Sequence, residues 1–519
     1  MPRSKCYGVA TVAAILALAV LARLPYLWQT NLSPDAADYI NIARNIAQGR
    51  GLIHSIKWHF FTHDPAVHSA IGERPLLYPL LLVPFCQGDS PARACQYATT
   101  AMALVALVLA AAWARRLGLN WRVVAIAVAM LAFNPGLAMA SVYPWSEPLY
   151  LALLFGVLLT VGRNAGSRGA ARRAALLTAL AYLTRPSAGA IVLGLSAWYL
   201  WRRAFSPLIH YLITLIVLLA PWWAIVWITR GSPFYSVQHF HLVVEDIRDG
   251  MAAGYGVVFP RPLDFFFTHA PAILTKIGIQ TALYAEQLFG SSCLSLLSAF
   301  VFLRLFPNGA LSESEAGSEP EEPKETSGNG PAYSIALFHF ILPDLIWATF
   351  DGLRFLLPVF AILVIPAVAA MDRLLGRLAT TRLRVAAWVL VLGFIALFYF
   401  DQWGTLYERV TAGRRTDLAK RIARMELDRL VAPNAVLAAD DPFSTNYYFD
   451  RPVIVLPEVS DSPERLKIFE QFLTEYHPDH LLLKPEEVKS LSPLLAARRL
   501  QPTGSLDTLD LQVLRVSPQ

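Results

Sequence analysis

Long stretches without a single charged residue constrain the fold of this chain more than any other feature. Residues 9–22, 101–112 and 386–400 are three examples. Only 16% of all residues are charged and 55% are hydrophobic, whereas roughly 25% of residues are charged in ordinary soluble proteins. A single water-soluble domain is therefore excluded, and the pattern predicts an α-helical polytopic membrane protein.

The apolar stretches and the helix-breaking residues between them predict about 11 transmembrane helices. The predicted spans are residues 7–28, 93–114, 122–141, 146–162, 174–186, 187–201, 208–229, 284–304, 332–350, 354–371 and 385–401. Residues 174–201 are interpreted as a hairpin of two short helices broken at Arg185-Pro186, because one long span would reverse the charge bias of everything after it. A cleavable signal peptide is the alternative for residues 1–28, but no small-x-small cleavage site ends the apolar run.

Basic residues indicate how the spans are oriented. Arginines cluster in the short links on one side, at Arg115 and Arg116, at Arg168, Arg172 and Arg173, and at Arg373, Arg377, Arg382 and Arg384. This side is cytoplasmic by the positive-inside rule, which places the N-terminus in the cytoplasm and segments 29–92, 230–283 and 402–519 outside. The net charge of +6 therefore reflects membrane orientation and not a nucleic-acid partner.

Two polar segments differ from the predicted transmembrane domain, residues 1–401. Residues 307–331 are acidic and rich in proline, glycine and serine, which predicts a disordered cytoplasmic loop. Residues 402–519 are more charged, and short apolar runs such as 453–456 alternate there with amphipathic stretches such as 463–476. This alternation predicts a small extracytoplasmic α/β domain. It contains no glycine-rich phosphate loop, so no nucleotide site is predicted.

The first predicted outer loop, residues 29–92, begins with an amphipathic helix. Pro34 and Asp35 suit a helix start, and Gly49 and Gly51 suit its end. Asp35 then lies at the positive end of the helix dipole, where a carboxylate is stabilised in its ionised form. An ordinary helix-capping role is the open alternative.

Histidines are concentrated in the same loop. His54, His59, His63 and His68 occur there together with Asp64, and their spacing allows two imidazoles to share a divalent metal. No known zinc motif is present, so a polar surface is favoured, no cofactor is predicted with certainty and a divalent metal stays an open alternative. A local disulfide between Cys86 and Cys95 is a further option in an oxidising compartment.

Five short motifs follow one another within residues 1–401. They are Pro34-Asp-x-x-x-Tyr-x-x-x-Ala, Glu73-Arg-Pro-Leu-Leu-Tyr-Pro, Tyr143-Pro-Trp-Ser-Glu-Pro, Leu183-Thr-Arg-Pro and Arg354-Phe-Leu-Leu-Pro. In this order the set resembles the GT-C class of membrane glycosyltransferases. Within that class the chain looks most like the bacterial relatives of dolichyl-phosphate-mannose protein mannosyltransferases and of the lipid A aminoarabinose transferase.

This resemblance implies transfer of a monosaccharide from a polyprenyl-phosphate-linked donor to a hydroxyl of a protein, lipid or glycan acceptor. The reaction would take place at the outer face of a bacterial inner (plasma) membrane. Asp35 matches the family's acidic residue in the first outer loop, which acts as general base or positions the acceptor. The second acid that often follows it is Ala36 here, so Asp38 is a candidate substitute. Glu147 is a third catalytic candidate, with helix capping as its alternative.

A phosphate leaving group requires cations, and arginine can bind phosphate oxygens in a bidentate manner. Arg74, Arg185 and Arg354 are the candidates, since they are predicted near the outer interface or in a helix break. The alternative for each is an arginine that snorkels from a helix end, and Arg23 is interpreted as such an anchor.

Two rival functions follow from the same sequence. A transporter or flippase of lipid-linked sugars would also be basic and polytopic, but it usually has internal repeats and ionisable groups at the bilayer midplane. A non-catalytic receptor would use the α/β domain for binding, and its first-loop carboxylates would be dispensable.

Overall fold

The computed structural model describes residues 3–88, 90–161, 166–237, 255, 270–286, 330–342 and 352–517. Most of these residues are helical. The α-helices are α1 (Arg3–Leu27), α2 (Pro34–Ala47), α3 (Leu77–Leu82), α4 (Pro91–Arg116), α5 (Trp121–Ala132), α6 (Pro135–Val142), α7 (Glu147–Val161), α8 (Arg168–Tyr182), α9 (Gly189–Trp201), α10 (Phe205–Arg230), α11 (Ala270–Glu286), α12 (Gly330–His339), α13 (Gly352–Phe355), α14 (Leu357–Gly376), α15 (Thr381–Leu430), α16 (Pro442–Phe449), α17 (Pro463–Tyr476), α18 (Pro485–Ser490) and α19 (Ser492–Ala496). The strands are β1 (Ile53–His54), β2 (Ile56–Lys57), β3 (His68–Ser69), β4 (Leu437–Ala439), β5 (Val453–Val455), β6 (His480–Leu483), β7 (Leu500–Leu506) and β8 (Leu511–Val516).

Five of the described helices are long and apolar enough to cross a membrane: Cys6–Leu27 of α1, and α4, α10, α14 and α15. Helices α5 and α6 pass the same test together, although they are bent by 55° relative to each other. The chain is therefore a multi-pass membrane protein. Predicted span 284–304 lies mostly outside the described residues, as do most of loop 307–331 and most of segment 230–283.

The chain forms two compact units. The first consists of Met1–Pro25, Thr99–Trp222 and Pro271–Tyr407, and the second of Tyr26–Ala98, Trp223–Ala270 and Glu408–Gln519. The sequence predicted two consecutive domains, residues 1–401 and 402–519. The second unit instead combines the C-terminal stretch with earlier parts of the chain, including most of the predicted first outer loop.

The predicted helix break at Arg185-Pro186 is confirmed. Helix α8 ends at Tyr182, residues Pro186–Ala188 form a 3-10 turn, and α9 starts at Gly189. Proline supplies no amide hydrogen and clashes with a preceding helical turn, which explains why the helix stops here.

Arg23 is buried within the first unit and is only 2% exposed. Its guanidinium donates hydrogen bonds to Ser141 Oγ (2.8 Å) and to the carbonyls of Ala19 (2.9 Å) and Ala132 (2.8 Å). Burial of a guanidinium is tolerated only when its donors have partners. The interpretation of Arg23 as an interfacial anchor is therefore wrong, because the residue instead joins α1 to α5 and α6.

The second unit contains a six-stranded sheet in the order β2-β5-β4-β6-β8-β7. Strands β2, β5, β4 and β6 are parallel, and β8 and β7 continue the sheet in antiparallel pairs. All residues of β4 and β5 are buried, as expected for parallel strands that are covered on both faces. Phe469, Phe472 and Leu473 of α17 pack into the core of this sheet. The apolar run 453–456 contains strand β5, and the amphipathic stretch 463–476 forms helix α17, as the sequence predicted.

The edge strand β2 comes from the first predicted outer loop. Ile56 pairs with Val453 and Lys57 with Ile454, and the carbonyl of Ser55 accepts a hydrogen bond from the amide of Val453 at 3.1 Å. The sequence did not predict this strand. The loop therefore completes the sheet of the C-terminal part of the chain.

Helix α2 of the same loop has the predicted bounds. The Ser33 hydroxyl caps its first turn by accepting from the amide of Ala36 at 3.2 Å, and Pro34 occupies the first turn, where no amide hydrogen is needed. Gly49, just beyond its end, has a φ of +72°, which glycine adopts without strain.

Cys86 and Cys95 are neighbours but are not bonded. Both are buried and form no disulfide with each other, and their sulfur atoms lie 3.7 Å apart, well beyond the roughly 2.05 Å of a disulfide bond. The disulfide considered from the sequence is therefore not formed in this structure.

Candidate active site

Arg74 bridges the two aspartates that were predicted as catalytic residues. Its Nη2 lies 2.7 Å from Asp35 Oδ1, and its Nε lies 2.5 Å from Asp38 Oδ2. The aspartates are three residues apart on α2 and so share one face of that helix. The Asp35 side chain is 23% exposed, whereas that of Asp38 is fully buried. Asp35 is thus the more accessible of the two carboxylates.

Asp38 has a second partner in His54, whose Nε2 forms a short contact with Asp38 Oδ1. Burial by itself would raise the pKa of Asp38, but the charges and hydrogen bonds of His54 and Arg74 hold this pKa below its ordinary value. Asp38 is therefore an ionised carboxylate whose oxygens are occupied by fixed partners.

The Arg74 guanidinium is also fixed by aromatic rings. Its Cζ lies 5.5 Å from the ring centroid of Tyr39 and 6.0 Å from that of Trp58, within the range of a cation–π interaction. Burial would lower the pKa of Arg74, but Asp35 and Asp38 together hold this pKa well above its ordinary value. Arg74 therefore remains a cation with a defined orientation.

His54, His68 and Glu73 form a compact, buried group. Their candidate ligand atoms lie within 4.8 Å of one another, and His68 Nε2 is 3.3 Å from Glu73 Oε1. Two imidazoles and a carboxylate are a donor set that suits zinc and similar divalent ions. These three residues could hold a divalent metal. Sequence reasoning missed Glu73 as a ligand, although Glu73 was part of the Glu73-Arg-Pro motif.

The other members of the predicted histidine set have different partners. His59 Nε2 lies 3.1 Å from Glu73 Oε2, whereas the exposed His63 contacts Glu475 at 2.8 Å. Burial would raise the pKa of Glu73, but hydrogen bonds from His59 and His68 and the nearby imidazoles hold it well below its usual range. Glu73 is thus ionised.

Arg230 was given no role by the sequence, yet it holds this loop in place. Its Nη1 contacts Asp64 at 2.6 Å and its Nη2 contacts Glu73 at 3.2 Å. The same guanidinium donates to the carbonyls of Ile71 and Ser69, each at 2.8 Å. Asp64 therefore pairs with Arg230 and is not part of the histidine group.

Lys57, which lies on β2, is a buried cation that sequence reasoning also missed. Its side chain is fully buried, and its Nζ donates to the carbonyl of Thr62 at 2.6 Å. Burial lowers the pKa of Lys57 to about 8, against the opposing effect of Asp64 and Glu73.

The first unit brings the other three predicted site residues together. Glu147 Oε1 lies 2.6 Å from Arg185 Nη1 and forms a short ion pair with Arg354 Nε. The side chains of Glu147, Arg185 and Arg354 are 2%, 16% and 9% exposed. Glu147 also lies in the first turn of α7, so this residue both occupies a helix-capping position and forms the two ion pairs.

Among the described residues, one carboxylate of this cluster faces two guanidinium groups. The Arg354 Cζ lies 3.9 Å from the ring centroid of Trp145, which covers one face of the cation. Guanidinium groups bind phosphate oxygens in a bidentate manner, so this arrangement suits an anion such as a phosphate. One turn along α7 from Glu147, Tyr150 and His339 form a hydrogen bond of 2.7 Å that the sequence did not indicate.

The six predicted site residues therefore fall into two groups, one in each unit. Asp35, Asp38 and Arg74 belong to the second unit, whereas Glu147, Arg185 and Arg354 belong to the first. The sequence predicted the members of each group but not the way in which they pair.

No family model matches this sequence, and no curated protein sequence matches it either. Several solved structures, in contrast, are similar to this chain. The chain is similar to ArnT from Cupriavidus metallidurans bound to undecaprenyl phosphate, with 16% identity, a TM-score of 0.59 and coverage of 98% of this chain and 99% of that chain. It is also similar to the archaeal oligosaccharyltransferase AglB from Archaeoglobus fulgidus in complex with an inhibitory peptide and a dolichol-phosphate, with 12% identity, a TM-score of 0.55 and coverage of 93% of this chain and 70% of that chain.

Both structural neighbours are GT-C glycosyltransferases. The similarity extends over nearly the whole chain, so this protein has the GT-C fold. The expectation drawn from the five sequence motifs is confirmed at the level of the fold.

Proposed function

We propose that this protein is a membrane glycosyltransferase that moves a monosaccharide from a polyprenyl-phosphate-linked donor to an acceptor hydroxyl at the outer face of the membrane. The observation that carries the proposal is the pairing of Asp35 and Asp38 with Arg74 in a chain with the GT-C fold. The structural neighbours support the donor class, because one was solved with undecaprenyl phosphate and the other with a dolichol-phosphate.

Asp35 is the proposed general base. The acceptor oxygen attacks the anomeric carbon of the sugar, the bond from that carbon to the phosphate oxygen breaks, and the hydroxyl proton passes to the Asp35 carboxylate. Attack opposite the leaving group inverts the anomeric configuration. The partial exposure of Asp35 supports this role, whereas the complete burial of Asp38 favours a role in positioning Arg74.

Cations compensate the charge of the polyprenyl phosphate that leaves. Arg185 and Arg354 are proposed to bind it, because their guanidinium groups converge on Glu147 Oε1 and guanidinium groups bind phosphate oxygens in a bidentate manner. Arg74 is the third candidate for phosphate binding. Because it pairs with Asp35 and Asp38, its proposed role is to hold Asp35, the general base, in position. Glu147 is then a residue that orients the two arginines.

His54, His68 and Glu73 are proposed to hold a divalent cation if the enzyme uses one. Such an ion would supply electrostatic stabilisation for phosphate oxygens. Within the chain itself, contacts with His59 and Arg230 hold Glu73 in position.

We place the protein in a bacterial inner membrane with about 11 helices and its N-terminus in the cytoplasm. The α/β domain, with predicted bounds 402–519, would then face the periplasm or the cell exterior. Impermeant thiol labelling of single cysteines introduced at exposed Ser492 and at Arg116 tests this topology, since only the first should react in intact cells.

The function is tested with purified protein in liposomes that contain labelled polyprenyl-phosphate monosaccharides and candidate acceptors. Wild type should transfer the label to an acceptor. Asp35→Asn should slow transfer by about 10²–10⁴-fold and should still bind the donor. Asp461→Asn is the matched control, because Asp461 is an exposed aspartate of the second unit.

Two outcomes would contradict the proposal. Movement of lipid-linked sugar across the bilayer without transfer would identify a flippase or transporter. Transfer at the wild-type rate by Asp35→Asn would remove Asp35 from the role of base, and an undiminished rate in Asp38→Asn as well would leave the first-loop carboxylates without a catalytic role.

A further inference from the structure

A cavity of about 610 Å³ lies within the α/β part of the second unit. Residues just before β4 and β6 and residues at the end of β8 line it. None of the candidate active-site residues described above contributes to its lining. Its volume falls in the range of roughly 300–1,000 Å³ that is typical of small-molecule sites.

The charged groups that line this cavity are mainly basic. Arg499 and Arg515 are two cations, and Asp479 is the single carboxylate among the lining residues. The Asp479 Oδ2 atom already accepts a hydrogen bond from the amide of Val436 at 2.7 Å. Positive charge therefore exceeds negative charge in the cavity, even when the histidines are neutral.

The two arginines differ in how firmly they are held. The Arg499 guanidinium donates to the carbonyl of Ser517 at 2.9 Å and to Thr474 Oγ1 at 3.4 Å, so its position is fixed. Arg515 lies on β8 opposite His480 of β6, and its side chain is exposed. Among the described residues its guanidinium has neither an ion pair nor a hydrogen bond. Arg515 therefore has its donors available for a ligand.

His480 supplies a second, independent indication of a ligand. It lines the cavity and is only 9% exposed, yet its Nδ1 atom is buried and has no hydrogen-bond partner in the described part of the chain. A buried polar atom without a partner is unfavourable and calls for an explanation. Burial lowers the pKa of His480; Asp479 opposes this shift, and Arg515 and Arg451 add to it.

We propose that this cavity binds a saccharide-sized ligand that carries an oxyanion, either a phosphate or a carboxylate. Arg499 and Arg515 bind the oxyanion, and a small side-chain shift on binding lets the buried Nδ1 atom of His480 make a hydrogen bond to a neighbouring polar group of the ligand. The eight polar or charged side chains that contribute to the lining suit a hydroxylated ligand better than an apolar one. This site is independent of the proposed transfer reaction.

The test uses the full-length protein in detergent micelles and isothermal titration calorimetry with four probes. Glucose 1-phosphate and glucuronate carry the two forms of the oxyanion, glucose carries none, and inorganic phosphate serves as a competitor. We expect saturable binding of at least one charged saccharide at one site, competition by inorganic phosphate and no measurable binding of glucose.

Three variants locate the binding site. Arg515→Gln should weaken binding by at least roughly tenfold, because it removes a charge-assisted hydrogen bond. His480→Phe keeps a planar ring but removes Nδ1, and it should also weaken binding. Arg429→Gln removes the same charge from an exposed residue of the same unit that does not line the cavity, and it should bind like wild type.

The proposal is overturned if neither charged saccharide binds saturably or if glucose binds equally well. It is also overturned if binding is unchanged in both Arg515→Gln and His480→Phe, because the ligand then lies elsewhere. Loss of donor transfer in Asp35→Asn leaves these results untouched, so the two proposals can fail separately.

Discussion

Among the described residues, opposite ratios of carboxylate to guanidinium groups distinguish the two groups of candidate site residues. Around Arg74 two carboxylates face one guanidinium, whereas around Glu147 two guanidinium groups face one carboxylate. A pair of carboxylates suits proton acceptance, and a pair of guanidinium groups suits phosphate binding. In the proposed reaction, the first group would accept the proton and the second would bind the phosphate, a division of roles that the motifs alone did not indicate.

The Glu147 cluster leads to a prediction about stability. Glu147→Gln leaves Arg185 and Arg354 buried without their common carboxylate, and loss of one partner from a buried ion pair costs about 3–5 kcal/mol. The melting temperature of the purified variant should fall well below that of wild type. Glu470→Gln, at an exposed position of α17, is the control and should melt like wild type. Equal melting temperatures for both variants would show that the cluster adds no stability.

Lys57 leads to a prediction about pH. Its folded-state pKa of about 8 lies below the ordinary 10.5, so the unfolded chain binds more protons between these values, and wild-type stability should rise with pH there. Lys57→Met lacks this titration. The stability of Lys57→Met relative to wild type should therefore decrease by on the order of 2 kcal/mol from pH 7 to pH 10.

The Lys57 prediction is measured as unfolding free energy or melting temperature at several pH values. Lys467→Met, at an exposed lysine, is the control, and its difference from wild type should not change with pH. A constant difference between Lys57→Met and wild type would mean that Lys57 titrates normally.

At the level of the elements, α2 depends on the sheet of the second unit. Asn41 of α2 donates to Asn446 Oδ1 at 2.8 Å, and Asn446 Nδ2 donates to the carbonyl of Arg451 at 2.7 Å. Arg44 of α2 also pairs with Asp450 at 3.2 Å. The helix that carries Asp35 and Asp38 is thus positioned by residues about 400 positions away in the sequence.

Asn446→Leu should loosen α2 in particular. The change removes the hydrogen-bond partners of the Asn41 side-chain Nδ2 and of the Arg451 backbone carbonyl. Each buried polar group left without a partner lowers the free energy of unfolding by about 1–3 kcal/mol. Hydrogen exchange followed by mass spectrometry should show faster exchange in α2, and transfer activity should fall with it. Asn434→Leu, an exposed position, is the control. Unchanged protection of α2 in Asn446→Leu would rule out this linkage.

Local signals explain which elements the sequence predicted. Helix α2 has a serine cap, an early proline and a terminal glycine, and α17 has an amphipathic repeat that starts at Pro463; each signal lies within a few residues. Strand β2 consists of two residues, and its partner Val453 is distant in the sequence, so no local pattern could reveal it. The pairing of Glu147 with Arg354 spans 207 positions, so only the folded chain reveals it.

The same limit applies to the candidate site. Asp35, Arg74 and Glu147 were predicted as site residues because short motifs surround them, whereas Lys57 and Arg230 belong to no motif to which the sequence assigned a role. Their positions depend on burial and on long-range ion pairs, which are consequences of the tertiary fold.

For the whole molecule, the second unit is built from three separate stretches of the chain. Strand β2 covers β5 at the edge of the sheet. Phe60, Ala66 and Tyr255 belong to the same hydrophobic core as Phe469 and Phe472. The C-terminal stretch therefore lacks part of its own core and one edge of its own sheet.

A fragment of residues 431–519 should consequently be an incomplete domain. Without β2, the backbone of β5 becomes an open edge, and exposed edges of sheets promote association between chains. We expect this fragment to associate at rising concentration in analytical ultracentrifugation and to melt at a lower temperature than a matched fusion. In the fusion, residues 52–70 are joined to the fragment through a flexible glycine–serine linker, and β2 can then pair with β5. A fragment that stays monomeric and is as stable as the fusion would mean that the C-terminal stretch folds independently of the first loop.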